Sequence, residues 1–179
     1  MMQDLVPFFD AVLAVKTVKR AGWVAKAGIT DAESVADHTF SMCAIGMALS
    51  DIMGLDAGRA VKMILLHDLA ESIVGDYMPG QVSARKKIQE ENRAMDSILA
   101  CLPAKVRTDY QKIWKEFLAG KTKTARFVHR LDRLEMALQA KRYEKEGYDK
   151  KSLSQFFSSA QKTVGREGDM LSDIMESIK

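Results

Sequence analysis

Apolar residues recur along the chain at spacings of three and four, the period of a helix that buries one face. No run of alternating β-branched residues is long enough to suggest a strand, so the pattern predicts an all-α fold. A first helix is predicted over residues 6–19, with Phe9, Val12, Leu13 and Lys16 on successive turns. Arg20-Ala21-Gly22-Trp23 interrupts that pattern, and a loop is expected to carry the chain to Glu33. A second helix is predicted over residues 36–53, closed by Gly54. Asp56 can cap a third, which reaches about residue 72 and sets Val61, Ile64, Leu65 and Leu69 on one face.

Gly75-Asp76-Tyr77-Met78-Pro79-Gly80 reads as a loop, because proline lacks an amide donor and the flanking glycines accept backbone angles that other residues resist. Ser83 then caps a strongly charged helix that runs to about residue 101. Pro103 starts a further helix through residue 118, ended by Gly120. Thr122 or Thr124 begins another, which runs to about residue 146 and is closed by Gly147. A final helix is predicted over residues 152–164, and the break at residues 165–168 leaves a short C-terminal turn prone to fraying. With no internal repeat, low-complexity tract or linker, residues 1–179 are expected to form a single helical bundle, with residues 152–179 packing on the rest.

Composition narrows the partners. A 47% hydrophobic fraction in 179 residues suffices for one substantial core. A net charge of +3 from 27 basic and 24 acidic side chains gives no electrostatic footprint for nucleic acid or an anionic membrane, so neither is expected as a partner. Cys43 and Cys101 lie in separate apolar segments without CxxC spacing, which reads as buried, reduced thiols. Met1-Met2-Gln3-Asp4 lacks the features of a signal peptide, and no apolar run approaches membrane-spanning length, so a cytoplasmic protein is expected.

The chemistry concentrates at His67-Asp68, set in the apolar stretch Ile64-Leu65-Leu66-His67-Asp68-Leu69-Ala70-Glu71. Adjacent imidazole and carboxylate groups are costly in such a surround unless they are paired or bind a metal. His38 upstream and Asp132 downstream lie in their own amphipathic segments, so three segments offer four ligands for one divalent ion. Glu71 follows His67 by four residues and Asp68 by three, which puts all of them on one face if the helix continues. Asp76, in the glycine-flanked loop, can reach a second ion or a substrate hydroxyl. His129 is read differently, as a satisfied core histidine, while the basic stretch around it over residues 126–133 reads as a solvated helix face.

In this order the residues His38, His67-Asp68 and Asp132 resemble the H…HD…D signature of the HD-domain phosphohydrolases. Arg20-Ala21-Gly22-Trp23, Glu33-Ser34-Val35-Ala36-Asp37-His38, the stretch from His67 to Asp76, and Leu131-Asp132-Arg133-Leu134-Glu135-Met136 are similar to the 5′-deoxynucleotidase branch. These blocks fall within residues 8–145, and four blocks in order are far more specific than one doublet.

The resemblance implies a single HD-domain bundle in which His38, His67, Asp68 and Asp132 hold a divalent ion. Cobalt or manganese is favoured, with magnesium, zinc, nickel and copper as further candidates and a second ion expected near Glu71 and Asp76. It implies that Glu71 positions the nucleophilic water and that Asp76 lies by the sugar. Arg20 and Trp23 would orient the 5′-phosphate, the indole donating a hydrogen bond, and Tyr77, Met78 and Pro79 would complete the substrate site. In the branch's bacterial members the arginine and tryptophan are adjacent, whereas two residues separate them here.

Lys87 and Glu91 fit a charged helix read as solvated surface or dimer contact. Glu116 matches an acidic position that either faces the pocket or lies on the surface. Thr124 stands where family members often have a glutamate, a departure that touches capping. The expected activity is removal of the 5′-phosphate from deoxyribonucleoside monophosphates by a homodimer. The alternatives are an HD phosphohydrolase acting on nucleoside triphosphates, alarmones or cyclic nucleotides, and a non-catalytic HD module that binds metal or nucleotide. The Arg20–Trp23 block and the Gly75-Asp76 loop weigh against the first, and an intact Glu71 against the second.

Overall fold

The computed structural model describes residues 4–78, 80–165 and 169–178. The chain folds into helices α1 (Val6–Ala14), α2 (Ala21–Ala27), α3 (Val35–Ile52), α4 (Ala57–His67), α5 (Glu71–Val74), α6 (Ala84–Ala100), α7 (Ala104–Ala119), α8 (Lys123–Lys145), α9 (Lys150–Val164) and α10 (Met170–Ser177). Among the described residues the only extended pairing is an isolated bridge between Lys19 and Ser34. The all-α reading therefore holds. Caps stand where the side chains can supply them: Asp56, Ser83 and Thr122 each accept from a backbone amide in the first turn of α4, α6 and α8. Thr122, not Thr124, is the cap of α8.

The core is organised around α8, which packs on α3, α4, α7, α9 and α10 and buries Leu131, Leu134, Ala137 and Ala140. The tightest point is Gly46 of α3. A Cβ added there would come within 2.6 Å of Ile64 on α4 and 2.7 Å of Leu131 on α8. The missing side chain thus lets three helices touch at one level. Ile64 is one turn before His67, and Leu131 is next to Asp132. This contact fixes the spacing of the elements that carry the candidate ligands.

Several local expectations are corrected. The first helix stops at Ala14 instead of reaching residue 19, because Val35 N–H donates to the Val18 carbonyl at 2.8 Å and Arg20 N–H to the Glu33 carbonyl at 3.0 Å. Those bonds draw residues 18–20 into extended backbone. Residues 20–33 are not all loop: α2 forms there and ends at Gly28, whose φ of 66° suits a residue without a side chain. The third predicted helix breaks at His67, and a turn held by the Glu71 N–H to Asp68 carbonyl bond (3.0 Å) leads into the short α5.

Leu65, placed on the buried face by periodicity, is exposed, as are Phe9, Val12 and Leu13 of α1. Cys43 and Cys101 are unpaired but half-buried instead of fully buried. The C-terminal turn is a capped helix, α10, clamped by Arg130 of α8, which forks onto Asp169 at 2.5 and 2.6 Å.

Substituting Gly46→Ala tests the close approach. Helix propensity alone would favour alanine by about 1 kcal/mol, whereas overpacking at such contacts costs about 1–3 kcal/mol. A net loss of stability is expected in chemical denaturation. A stabilised variant would show that α3 can shift without cost.

Candidate active site

His38 lies on the first turn of α3, His67 at the last residue of α4, Asp68 just beyond it and Asp132 on α8. The ring nitrogens facing away from the cluster are anchored. His67 Nδ1 sits 2.6 Å from the Ile64 carbonyl, which can only accept, so this nitrogen carries the proton. His38 Nδ1 sits 2.6 Å from Glu135 Oε2 on α8. Both Nε2 atoms point inward, are buried and have no hydrogen-bond partner. His67 Nε2 is 3.0 Å from Asp68 Oδ2, and His38 Nε2 is 3.4 Å from Asp132 Oδ1 and 3.9 Å from Asp68 Oδ2. One ligand atom each from His38, His67 and Asp132 falls within a 4.8 Å span. Two orphaned imidazole nitrogens converging on two carboxylates are the donor set of a divalent transition ion, so the residues present fit such an ion.

Electrostatics point the same way. Burial and Arg20 both work to lower the His38 pKa, but the Asp132 and Glu135 carboxylates outweigh them and push it up to about 10. An incoming cation must displace that proton, so its affinity rises with pH through the neutral range. Burial alone would raise Asp68 and Asp132. His67 and Arg20 hold Asp68 far below the usual carboxylate range, while His38 and Arg133 do the same for Asp132. Arg20 straddles the two carboxylates, with Nη1 3.1 Å from Asp68 and Nη2 3.7 Å from Asp132. Glu71 is buried, with Oε2 unpartnered, and burial followed by the Asp68 and Asp76 charges raises its pKa well above the usual value.

These groups open onto a cavity of about 230 Å³. Of the residues singled out from sequence, Arg20, Trp23, Asp68, Glu71, Asp76, Tyr77, Met78 and Asp132 line it, with His38 and His67 behind the carboxylates. Pro79 lies outside the described residues. Asp76 Oδ2 accepts from the Ala21 N–H at the start of α2 (2.8 Å), and the Tyr77 hydroxyl donates to Glu90 (2.7 Å).

Trp23 is a buried wall. Its indole N–H donates to Glu33 (2.9 Å) and not into the cavity, and its ring packs on Phe156 at 4.1 Å. His129 is stacked on Phe117, with Nε2 2.9 Å from that residue's carbonyl, so it is the satisfied packing histidine that the sequence suggested. Glu116 pairs with Arg59 and Thr122, away from the cavity.

Sequence reasoning missed four contributions. Glu135, one turn after Asp132, is the buried carboxylate that holds His38, and its spacing on the core face was the available signal. Glu33 joins His38 and Glu135 in a second tight cluster, and burial followed by the Glu135 charge pushes its carboxyl up to about 7. Helix α9 supplies a wall through Gln155, Phe156 and Ser159, and Lys87, read from sequence as surface, lines the cavity from α6.

The family model for the HD domain matches residues 12–171. The chain is 36% identical over 169 residues to the 5′-deoxynucleotidase HDDC2 of Dictyostelium discoideum, covering 88% of each protein. It is 38% identical over 158 residues to the 5′-deoxynucleotidase hdd1 of Schizosaccharomyces pombe, covering 86% of this chain and 79% of that one. The solved structure of a conserved hypothetical protein from Pyrococcus furiosus matches with a TM-score of 0.75 at 28% identity, over 97% of this chain and 98% of that one.

Because Glu135 fixes the orientation of His38, Glu135→Gln is expected to weaken divalent metal binding about 10–100-fold while leaving the fold intact. Calorimetric titration with cobalt checks it, with circular dichroism as the control. Unchanged affinity would mean that packing alone orients the imidazole.

Proposed function

The chain belongs to the HD domain family, and from that premise we propose that it is a metal-dependent 5′-deoxynucleotidase, hydrolysing deoxyribonucleoside 5′-monophosphates to deoxyribonucleoside and phosphate. The observation that carries this reading is the pair of buried, unpartnered imidazole nitrogens facing Asp68 and Asp132, with the buried Glu71 beside them on the cavity wall. His38, His67, Asp68 and Asp132 would hold the ion. Such an ion supplies Lewis acidity to a phosphate oxygen and lowers the pKa of a bound water. Cobalt or manganese is the ion that the resemblance to the 5′-deoxynucleotidase branch implies, with magnesium, zinc, nickel and copper as competitors for the same two nitrogen and two oxygen donors, and Glu71 with Asp76 would serve a second ion.

Glu71 takes a proton from the attacking water, and its raised pKa is the direction a proton acceptor near neutrality needs. The water oxygen bonds to phosphorus, the phosphorus–O5′ bond breaks, and O5′ leaves as the alcohol after gaining a proton. Arg20 presents a planar fork to the phosphate oxygens. Asp76 contacts the 3′-hydroxyl of the bound deoxyribose. Trp23 closes the wall against water, and Tyr77 and Met78 complete the substrate side.

The protein works as a homodimer in the cytoplasm. The exposed Phe9 and Leu13 of α1 and Phe40 and Met47 of α3 support the former, and the unpaired Cys43 and Cys101 support the latter. No helix among the described residues is long and apolar enough to cross a membrane.

Chelator-stripped protein reloaded in turn with cobalt, manganese, magnesium or zinc is expected to release phosphate from deoxymonophosphates. Little release is expected from ribonucleotides or deoxytriphosphates. Equal rates on dAMP and AMP would remove the sugar preference, and silence across the panel would favour a binding module. Asp68→Ala is expected to abolish both metal content and activity. Glu71→Ala is expected to keep the ion held by His38, His67, Asp68 and Asp132 and to lose about 10²–10⁴-fold in turnover. Near-full activity of the second variant would assign the proton to another group.

A further inference from the structure

Four carboxylates, Asp68, Glu71, Asp76 and Asp132, line the cavity together with four cations, Arg20, Lys26, Lys87 and Arg133. The cations are not equivalent. Arg20 is engaged by Asp68 and Asp132, and Arg133 Nε lies 3.6 Å from the second oxygen of Asp132, so both balance proposed metal ligands. Lys26 is exposed on α2.

Lys87 differs, because it projects from α6 and its partner is Glu91, 3.4 Å away and one turn further along the same helix. Glu91 does not line the cavity, so this ammonium is held at the wall by a group outside the proposed ligand set. After Glu91, the charges that act on it are Glu71 and Asp68, which line the same cavity.

A solvated i,i+4 pair on a helix surface would account for Lys87 and Glu91 if both were exposed. They are not: the Glu91 side chain is 12% exposed and that of Lys87 37%. Sheltering a carboxylate in this way is unfavourable unless the neighbouring ammonium has a fixed place to be. Lys86, one residue earlier, shows the contrast, with a side chain 60% exposed and paired to Glu90 at 3.7 Å.

We propose that Lys87, on the α6 wall of the cavity that Arg20 also lines, contacts the phosphate of the substrate, and that Glu91 is the positioning residue that aims its ammonium. The two cations then hold the dianion together, a fork from the residue that precedes α2 and a point charge from α6. This rests on the nucleotidase reading only in taking a phosphate monoester as the ligand.

The test compares metal-loaded wild type with Lys87→Met, Lys87→Arg, Glu91→Gln and the control Lys86→Met. Steady-state kinetics on dAMP, inhibition by inorganic phosphate, and direct calorimetric titration with inorganic phosphate are the readouts. Lys87→Met is expected to raise KM, the inhibition constant and the phosphate Kd together, by about tenfold or more, with metal content unchanged and a smaller effect on kcat. Lys87→Arg is expected to recover most of that loss, and Glu91→Gln to fall between. Constants within twofold of wild type for Lys87→Met, or equal shifts in Lys86→Met, would overturn the proposal. If wild type cleaves no nucleotide, the nucleotidase reading fails, whereas the phosphate titration still reports whether Lys87 holds the anion.

Discussion

Contact among α3, α4 and α8 at Gly46 is the constraint on which the rest of the arrangement depends. Three helices can present ligands to one point only if their axes come close, and side chains at the crossing set the distance. Gly46 removes one of those side chains where Ile64 and Leu131 press in. His67 and Asp132 then follow from their neighbours' packing, and His38 is drawn across by Glu135 of α8. The metal-binding geometry thus follows from helix packing: the apolar contacts at Gly46 set the spacing of the helices, and the bonds of the Ile64 carbonyl and Glu135 to the two imidazoles set the ligand orientation.

Those contacts must also outweigh a local liability. Carboxylates and imidazoles gathered in a sheltered place oppose folding unless each has a countercharge. Asp68 and Asp132 have Arg20, Arg133 and the two histidines. Glu71 and Glu33 have too little, and their carboxyls hold protons more tightly than carboxyls in water do. Uneven compensation of this kind separates groups that bind cations from groups that can move a proton.

The sequence made the ligands readable because each was anomalous where it stood: His67-Asp68 in an apolar run, and His38 and Asp132 in amphipathic segments with few other reasons to hold them. Periodicity also gave most helix bodies and three caps. It failed where tertiary bonds override local preference. Nothing local stops α4 at His67, since leucines continue on both sides and the break follows from the turn through Asp68. The short α2 gave too few turns for a period, and α10 depends on Arg130, far away in sequence. Lys87 and Glu91 read as surface because their spacing is that of a solvated pair, and only the fold shows which side of α6 is covered. Glu135 was within reach of a closer reading, as a carboxylate one turn from Asp132.

The bond from Ala21 N–H to Asp76 ties the segment carrying Asp68, Glu71 and Asp76 to the start of the helix that follows Arg20 and bears Trp23. One end of that segment is fixed by α4, and this hydrogen bond, with that of the Tyr77 hydroxyl to Glu90, fixes the other. Groups that would otherwise sit on two independent loops become parts of one closed ring of chain. The configurational freedom lost in gathering them is given up during folding, so a substrate meets a site already assembled, and its binding energy remains available to distinguish one sugar phosphate from another.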